Sequence, residues 1–182
     1  MSLPPQKMRE VVFQLLFSLD IDAQNPSAVV AFIGKELAVS KKYVLQALDK
    51  ANAILQNKED LDKRIAAISV SYVLERIQKV EINILRLGAY EILFDNEIPP
   101  KVAIAEGMRL AKKFSTPESA SYINAVLDSI YKQSEGKSVD VTEITKSVKA
   151  MEEIEAISEE ASHQALPPSN DDENKDDENV DF

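Results

Sequence analysis

Apolar residues recur along most of this chain at three- and four-residue intervals, the period of a helix with one buried face. No stretch shows the strict alternation of a half-buried strand. The first pattern covers residues 5–20, where Met8, Val12, Leu15 and Leu19, flanked by Val11 and Leu16, form one stripe. It is entered through Pro4-Pro5, which suits a helix start because the N–H that proline lacks has no intrahelical partner there. Asn25-Pro26-Ser27 opens a second pattern ending near residue 37, Ser40 is placed to cap a third that runs to residue 56, and a fourth lies within 60–69. The longest predicted helix covers residues 78–95. Pro99-Pro100 parts it from one over 101–114, and the last covers 117–132. Ser115 and Glu118 have the spacing of a capping box, each side chain accepting from the other's free backbone N–H. Residues 1–133 therefore predict an all-α domain, a compact bundle of about seven helices. Beyond Gly136, Val141, Ile144, Val148, Met151 and Ile154 predict a short amphipathic helix docked on that domain. From Ser162 onward P-P-S-N-D-D-E-N-K-D-D-E-N is acidic and is expected to stay disordered.

The faces of these helices carry the first functional hints. Residues 78–95 are apolar around most of the circumference, which places that helix at the centre of the bundle. Its polar stripe is narrow: Lys79, Asn83, Arg86 and Tyr90. Glu81 falls instead beside Leu85, Gly88 and Ile92, and Glu91 beside Ile84 and Leu87. A carboxylate on an apolar face must be paired, hydrogen-bonded or at the edge of the buried zone, because isolated burial is costly. The helix dipole favours Glu81 in the first turn, and an arginine is the natural partner for Glu91. On the first helix Phe13 and Phe17 are i,i+4 neighbours on the side away from the core stripe, with Gln6, Arg9 and Glu10. Two readings follow: a helix buried on two sides, or an exposed aromatic pair beside Arg9 that stacks on bases or packs against a partner. Over 101–114, Ile104, Met108 and Ala111 point inward and Glu106, Arg109 and Lys113 outward; with Lys101 and Lys112 they make a mildly basic surface. In the last helix Ala120, Ile123, Leu127 and Ile130 are the core stripe, and Tyr122 and Asn124 flank it.

Charge sharpens the division of the chain. Residues 1–133 hold 17 Lys and Arg against 16 Asp and Glu, and residues 134–182 hold 4 against 15, so the net charge of -10 belongs to an acidic tail. A near-neutral domain leaves a nucleic-acid partner open. No cysteine is present, which removes disulfides and thiolate chemistry; no apolar run is long enough for a membrane span and no signal peptide is evident at the N-terminus. A soluble cytoplasmic protein is expected. Catalytic chemistry has little to work with: Glu81 and Glu91 are separated by about 15 Å along one helix, whereas paired glycosidase carboxylates sit about 5–9.5 Å apart. His163, in the tail, is the one histidine, and no glycine-rich phosphate loop occurs, so neither a catalytic set nor a metal site nor a cofactor is expected.

The ordered motifs L-x-R-I-x-x-V-E-I-x-I-L-R-L-G-A-Y-E-I-L, I-P-P-K-V-A-I-x-E, L-A-K-K-F and Y-I-N-A-V-L-D, preceded by M-R-E-x-x-x-Q-L-L-F in the first helix, resemble those of the NusB transcription antitermination factors. The likeness spans residues 1–132 and is densest over 74–128. It implies a helical protein that binds the boxA element of ribosomal RNA leader transcripts together with NusE, a small-subunit ribosomal protein, and joins the antitermination complex on RNA polymerase. Carried over by position, Lys7 and Arg9 contact phosphates, Phe17 takes the place of an aromatic that touches RNA, and Glu81, Glu118 and Tyr122 lie at or near the RNA surface; Lys101 and Lys113 add to it from the basic face. A carboxylate accepts from an exposed cytosine amino group, so acids at such a site are no contradiction. Two departures bear on strength of binding. The family's opening run of arginines is here Pro4-Pro5-Gln6-Lys7-Met8-Arg9, and the tail from Glu135 is an addition. Ala105 and Ala125 also replace the usual Asn and Gly. The competing reading is a protein-interaction or homodimerisation module of weakened RNA affinity, with Phe13 and Phe17 as its face.

Overall fold

The computed structural model describes residues 3–22, 25–69 and 74–164, the side chains of 162–164 excepted. Among these the secondary structure is helical throughout: α1 (Pro5–Ile21), α2 (Pro26–Glu36), α3 (Lys41–Gln56), α4 (Lys58–Ile68), a 3-10 turn (Leu74–Arg76), α5 (Lys79–Phe94), α6 (Pro100–Phe114), α7 (Pro117–Ser134) and α8 (Thr142–Gln164). α5 is the hub, touching α1, α3, α4, α6 and α7, while α6 lies along α7 and α1 along α3. Its central burial follows from the sequence: residues 81–89 are all buried, so nearly every side of the helix meets another helix. The approach to α7 is set by Gly88 and Gly107, whose missing side chains leave room for Leu127.

The helix ends follow local chemistry. Asn25 caps α2, its side chain accepting from the Ala28 N–H at 3.2 Å. Ser40 is the N-cap of α3, without a side-chain cap bond. α7 departs from expectation by one residue. Its cap is Thr116, which accepts from the Ser119 N–H at 3.1 Å, and Pro117 then takes the first helical position that proline prefers. Ser115 is thereby released from capping. The box-like contact occurs on α5 instead, where the Gln78 N–H donates to the Glu81 carboxylate at 3.3 Å.

Two compact units are resolved, one closing at Met151 and one starting at Glu152. In the first, Ile144, Val148 and Met151 of α8 are buried with the core, as their spacing predicts. α8 is longer than the expected short helix, and in the second unit it exposes Ile154 and Ile157. The acidic run expected to be disordered begins at the end of α8, and its part from residue 165 onward lies outside the described residues.

Candidate nucleic-acid interface

α1 and α6 meet along a seam built of charges at its rim and aromatics beneath. Glu10 of α1 accepts from the Arg109 guanidinium at 2.7 Å and from the Lys113 ammonium at 2.8 Å. Arg109 donates as well to Glu106 at 2.9 Å and to the Gln6 carbonyl at 3.2 Å, and Gln6 donates its amide to Glu106 at 3.2 Å. Arg9 turns inward to Glu91 of α5 at 3.0 Å, and Lys50 of α3 reaches the same carboxylate at 2.8 Å and Asp95 at 3.1 Å. Burial pushes the Glu10 carboxyl up, but the hydrogen bonds from Lys113 and Arg109 outweigh it and hold its pKa below the ordinary value. Arg109 is shifted the other way: burial lowers it, and the carboxylates of Glu10 and Glu106 raise it further. Beneath the charges Phe13 packs on Phe114 with ring centroids 4.9 Å apart and stands 6.2 Å from Phe17; the Lys113 ammonium lies 5.4 Å from the Phe114 ring centre.

At the other end of the hub, Asn83 and Arg86 of the narrow polar stripe are buried, while Lys79 stays exposed and Tyr90 half-buried. Arg86 grips both oxygens of Asp62 at 2.7 and 2.8 Å and lies 3.2 Å from Asp20, while Asn83 donates to Asp20 at 3.3 Å. Lys58 and Lys79 complete the ring around Asp20 at 2.6 and 3.1 Å. Burial raises the Asp20 pKa and these cations more than reverse it, leaving it far below the carboxylate range. At the start of α5, Glu81 accepts from Ser115 at 3.0 Å and from Ser119, so a buried carboxylate is satisfied by hydroxyls and its own helix start.

These placements sort the expected RNA contacts. Lys113 lies on the α1–α6 seam, and Phe17 stands next along α1 from Phe13 and borders a pocket shared with Ala28 and Val29 of α2. Lys7 is half-buried on the turn of α1 before Glu10, and Glu118 is half-buried in the first turn of α7. Lys101 is exposed but sits at the far end of α6, about 18 Å from Lys113 along the axis at ~1.5 Å per residue. Three residues are corrected from surface to interior. Tyr122 is fully buried, its hydroxyl 2.8 Å from Ser69, because its helix is covered on that side as well. Glu81 is 1 % exposed and engaged by Ser115 and Ser119. Arg9 is drawn onto Glu91 rather than offered to solvent. Phe13 is buried too, so the reading of α1 as buried on two sides holds for that residue, while Phe17 keeps part of its ring at the surface. Glu106 and Arg109, expected outward, turn toward α1. The sequence places Glu10 on the same face as Arg9 but not its pairing with Arg109 and Lys113, because nothing local links it to residues some hundred positions away.

Among the described residues no helix is long and apolar enough to cross a membrane. The chain matches the family model of the NusB family over residues 6–132. It is 36% identical over 131 residues, 72% of this chain and 82% of the relative, to the transcription antitermination protein NusB of Chlamydia pneumoniae. Its fold is similar to that of a solved T. maritima NusB, with a TM-score of 0.61 and 31% identity over 73% of this chain and 94% of that one. A solved complex of the antitermination factors NusB and NusE with double-stranded RNA is similar at a TM-score of 0.61 and 25% identity, over 70% of this chain and 96% of that one.

Proposed function

The chain belongs to the NusB family, and from that premise we propose that it binds boxA-type single-stranded RNA together with NusE, on the α1–α6 seam and the adjoining start of α7, as a transcription antitermination factor of the RNA polymerase complex in the cytoplasm. The observation that supports this surface is the conjunction of a partly exposed aromatic, Phe17, with cations on the neighbouring helix. Single-stranded RNA is held by bases stacking on rings while cations follow the phosphates. The solved relative in complex with NusE and RNA supports the choice of partners. Fluorescence anisotropy with boxA RNA, with and without NusE, tests the reading. Tighter binding with NusE and weaker binding of a scrambled RNA is the expected result; equal binding of both RNAs, unchanged by NusE, defeats it.

A second reading, a protein-interaction module of weakened RNA affinity, has one specific observation behind it: Arg9, Arg109 and Lys113 are each held by a carboxylate. The burial of Phe13 removes half of the aromatic pair that a homodimer face would use. Light scattering decides this point: a dimer that Phe17→Glu leaves intact rules out that interface.

A further inference from the structure

We propose that Glu10 is an affinity-setting residue, an internal stand-in for an RNA phosphate: in the free protein its carboxylate occupies the two cations that a phosphate takes up in the complex. The proposal rests on the RNA-binding reading above and adds to it the device that tunes it. One Glu10 oxygen accepts from Arg109 at 2.7 Å and the other from Lys113 at 2.8 Å, so each cation has its own oxygen, as it would on the paired non-bridging oxygens of a phosphate.

The two cations are held differently, and the difference makes exchange workable. Arg109 keeps its hydrogen bonds to Glu106 and to the Gln6 carbonyl when Glu10 lets go, so its remaining N–H group stays aimed at the seam. Lys113 is half exposed, with its flexible stem beside Phe114, and swings outward at little cost. The carboxylate itself is 9 % exposed and has α6 as its neighbour, so an arriving phosphate must displace Lys113 before it displaces Glu10. With Arg9 spent on Glu91, the seam is close to neutral until that exchange occurs. In a chain whose first helix carries few cations, affinity then depends on whether Glu10 releases the ones on α6.

The test compares the wild-type chain with Glu10→Gln, Glu10→Asp, Lys113→Gln and the Glu10→Gln/Lys113→Gln double variant, using a labelled single-stranded boxA RNA in a salt titration. Freeing one cation for a new phosphate contact steepens the slope of log K against log salt by about 0.7 and tightens binding about fivefold near 0.1 M salt. Glu10→Gln is expected to show one to two such steps. Lys113→Gln is expected to cost about fivefold more in the Glu10→Gln background than in the wild type. Glu10→Asp keeps the charge but shortens the reach, so part of the gain must appear without any change in net charge, which a long-range field effect cannot produce. Circular dichroism melts identify any variant that has lost its fold, and the aspartate variant carries the test if the glutamine variant has. Identical affinities and slopes for wild type, Glu10→Gln and Glu10→Asp, with the wild type binding RNA, overturn the role of Glu10 alone. No binding by any folded variant overturns it together with the RNA-binding reading.

Discussion

Gly88→Ala is a substitution whose two effects have opposite signs, and the structure says which wins. Alanine in a helix interior is favoured over glycine by about 1 kcal/mol. A Cβ at position 88, however, would stand 2.6 Å from Cδ1, 3.0 Å from Cδ2 and 3.4 Å from Cγ of Leu127, and the same Cδ1 would lie 2.8 Å from a Cβ at Gly107. Leu127 is fully buried and held between the two glycines, so the side chain cannot turn away from one without meeting the other helix. Overpacking of this kind costs roughly 1–3 kcal/mol, which leaves Gly88→Ala destabilising by about 1 kcal/mol. Leu127→Ala alone opens a cavity and is expected to cost about 2–5 kcal/mol. In the double variant the new methyl group occupies part of that cavity and the clash is gone, so the two losses fall short of their sum by about 1 kcal/mol or more. Urea unfolding followed by far-UV circular dichroism measures all three. Additivity within ~0.3–0.5 kcal/mol, or a Gly88→Ala protein more stable than the wild type, refutes the reasoning.

Arg86→Ala removes the guanidinium from Asp62 and Asp20; breaking a buried pair costs about 3–5 kcal/mol, and because Lys58 and Lys79 still face Asp20 the expected loss is nearer 2–4 kcal/mol, read from chemical unfolding. Asp20 and Glu10 both have depressed pKa values in the fold, so their stabilisation is complete above the ordinary values of 3.8 and 4.5 and is lost as pH falls below them; the melting temperature should hold from neutral pH to about pH 5 and drop steeply beneath pH 4, and a flat profile contradicts the sign. Val148→Asp places a charge on the buried stripe of α8, and hydrogen exchange should then quicken about ten- to hundredfold over residues 142–151, as a penalty of about 1–3 kcal/mol implies, with α5 unchanged.

The helix pattern was legible because it rests on short-range information. Proline pairs, Asn25 and the three-and-four spacing place every helix of the bundle to within a few residues. The site was less legible, and Arg86 shows why. Periodicity marks Asn83 and Arg86 as part of the polar stripe of the hub but says nothing of what faces them, and Asp20 and Asp62 from two other helices close over them. Tyr122 fails for the same reason, since its burial depends on what covers α7 and not on its own helix. Glu81 and Glu91 came out as the rule on buried carboxylates requires, hydrogen-bonded in one case and paired with an arginine in the other. What a single sequence withholds is the identity of partners brought in from distant segments.

Those partners explain why a helix as apolar as α5 keeps so many polar groups. Apolar contacts specify register less sharply, because volume-conserving exchanges of one apolar group for another cost little. A buried charge is not tolerant: moved by one turn, about 5.4 Å, it loses its partner and is left unpaired in a poor solvent. α5 carries three such loci. Glu81 holds the start of α7 through Ser115 and Ser119, Arg86 and Asn83 hold the end of α1 and α4 through Asp20 and Asp62, and Glu91 holds α1 and α3 through Arg9 and Lys50. Each locus specifies the register of a different neighbour, and α1 is fixed at two of them, near its start and at its end. With α1 unable to slide, Glu10 meets Arg109 and Lys113 at one defined height, and Phe17 is held partly exposed beside Phe13. The polar groups that do not reach the surface are therefore what determines which groups do.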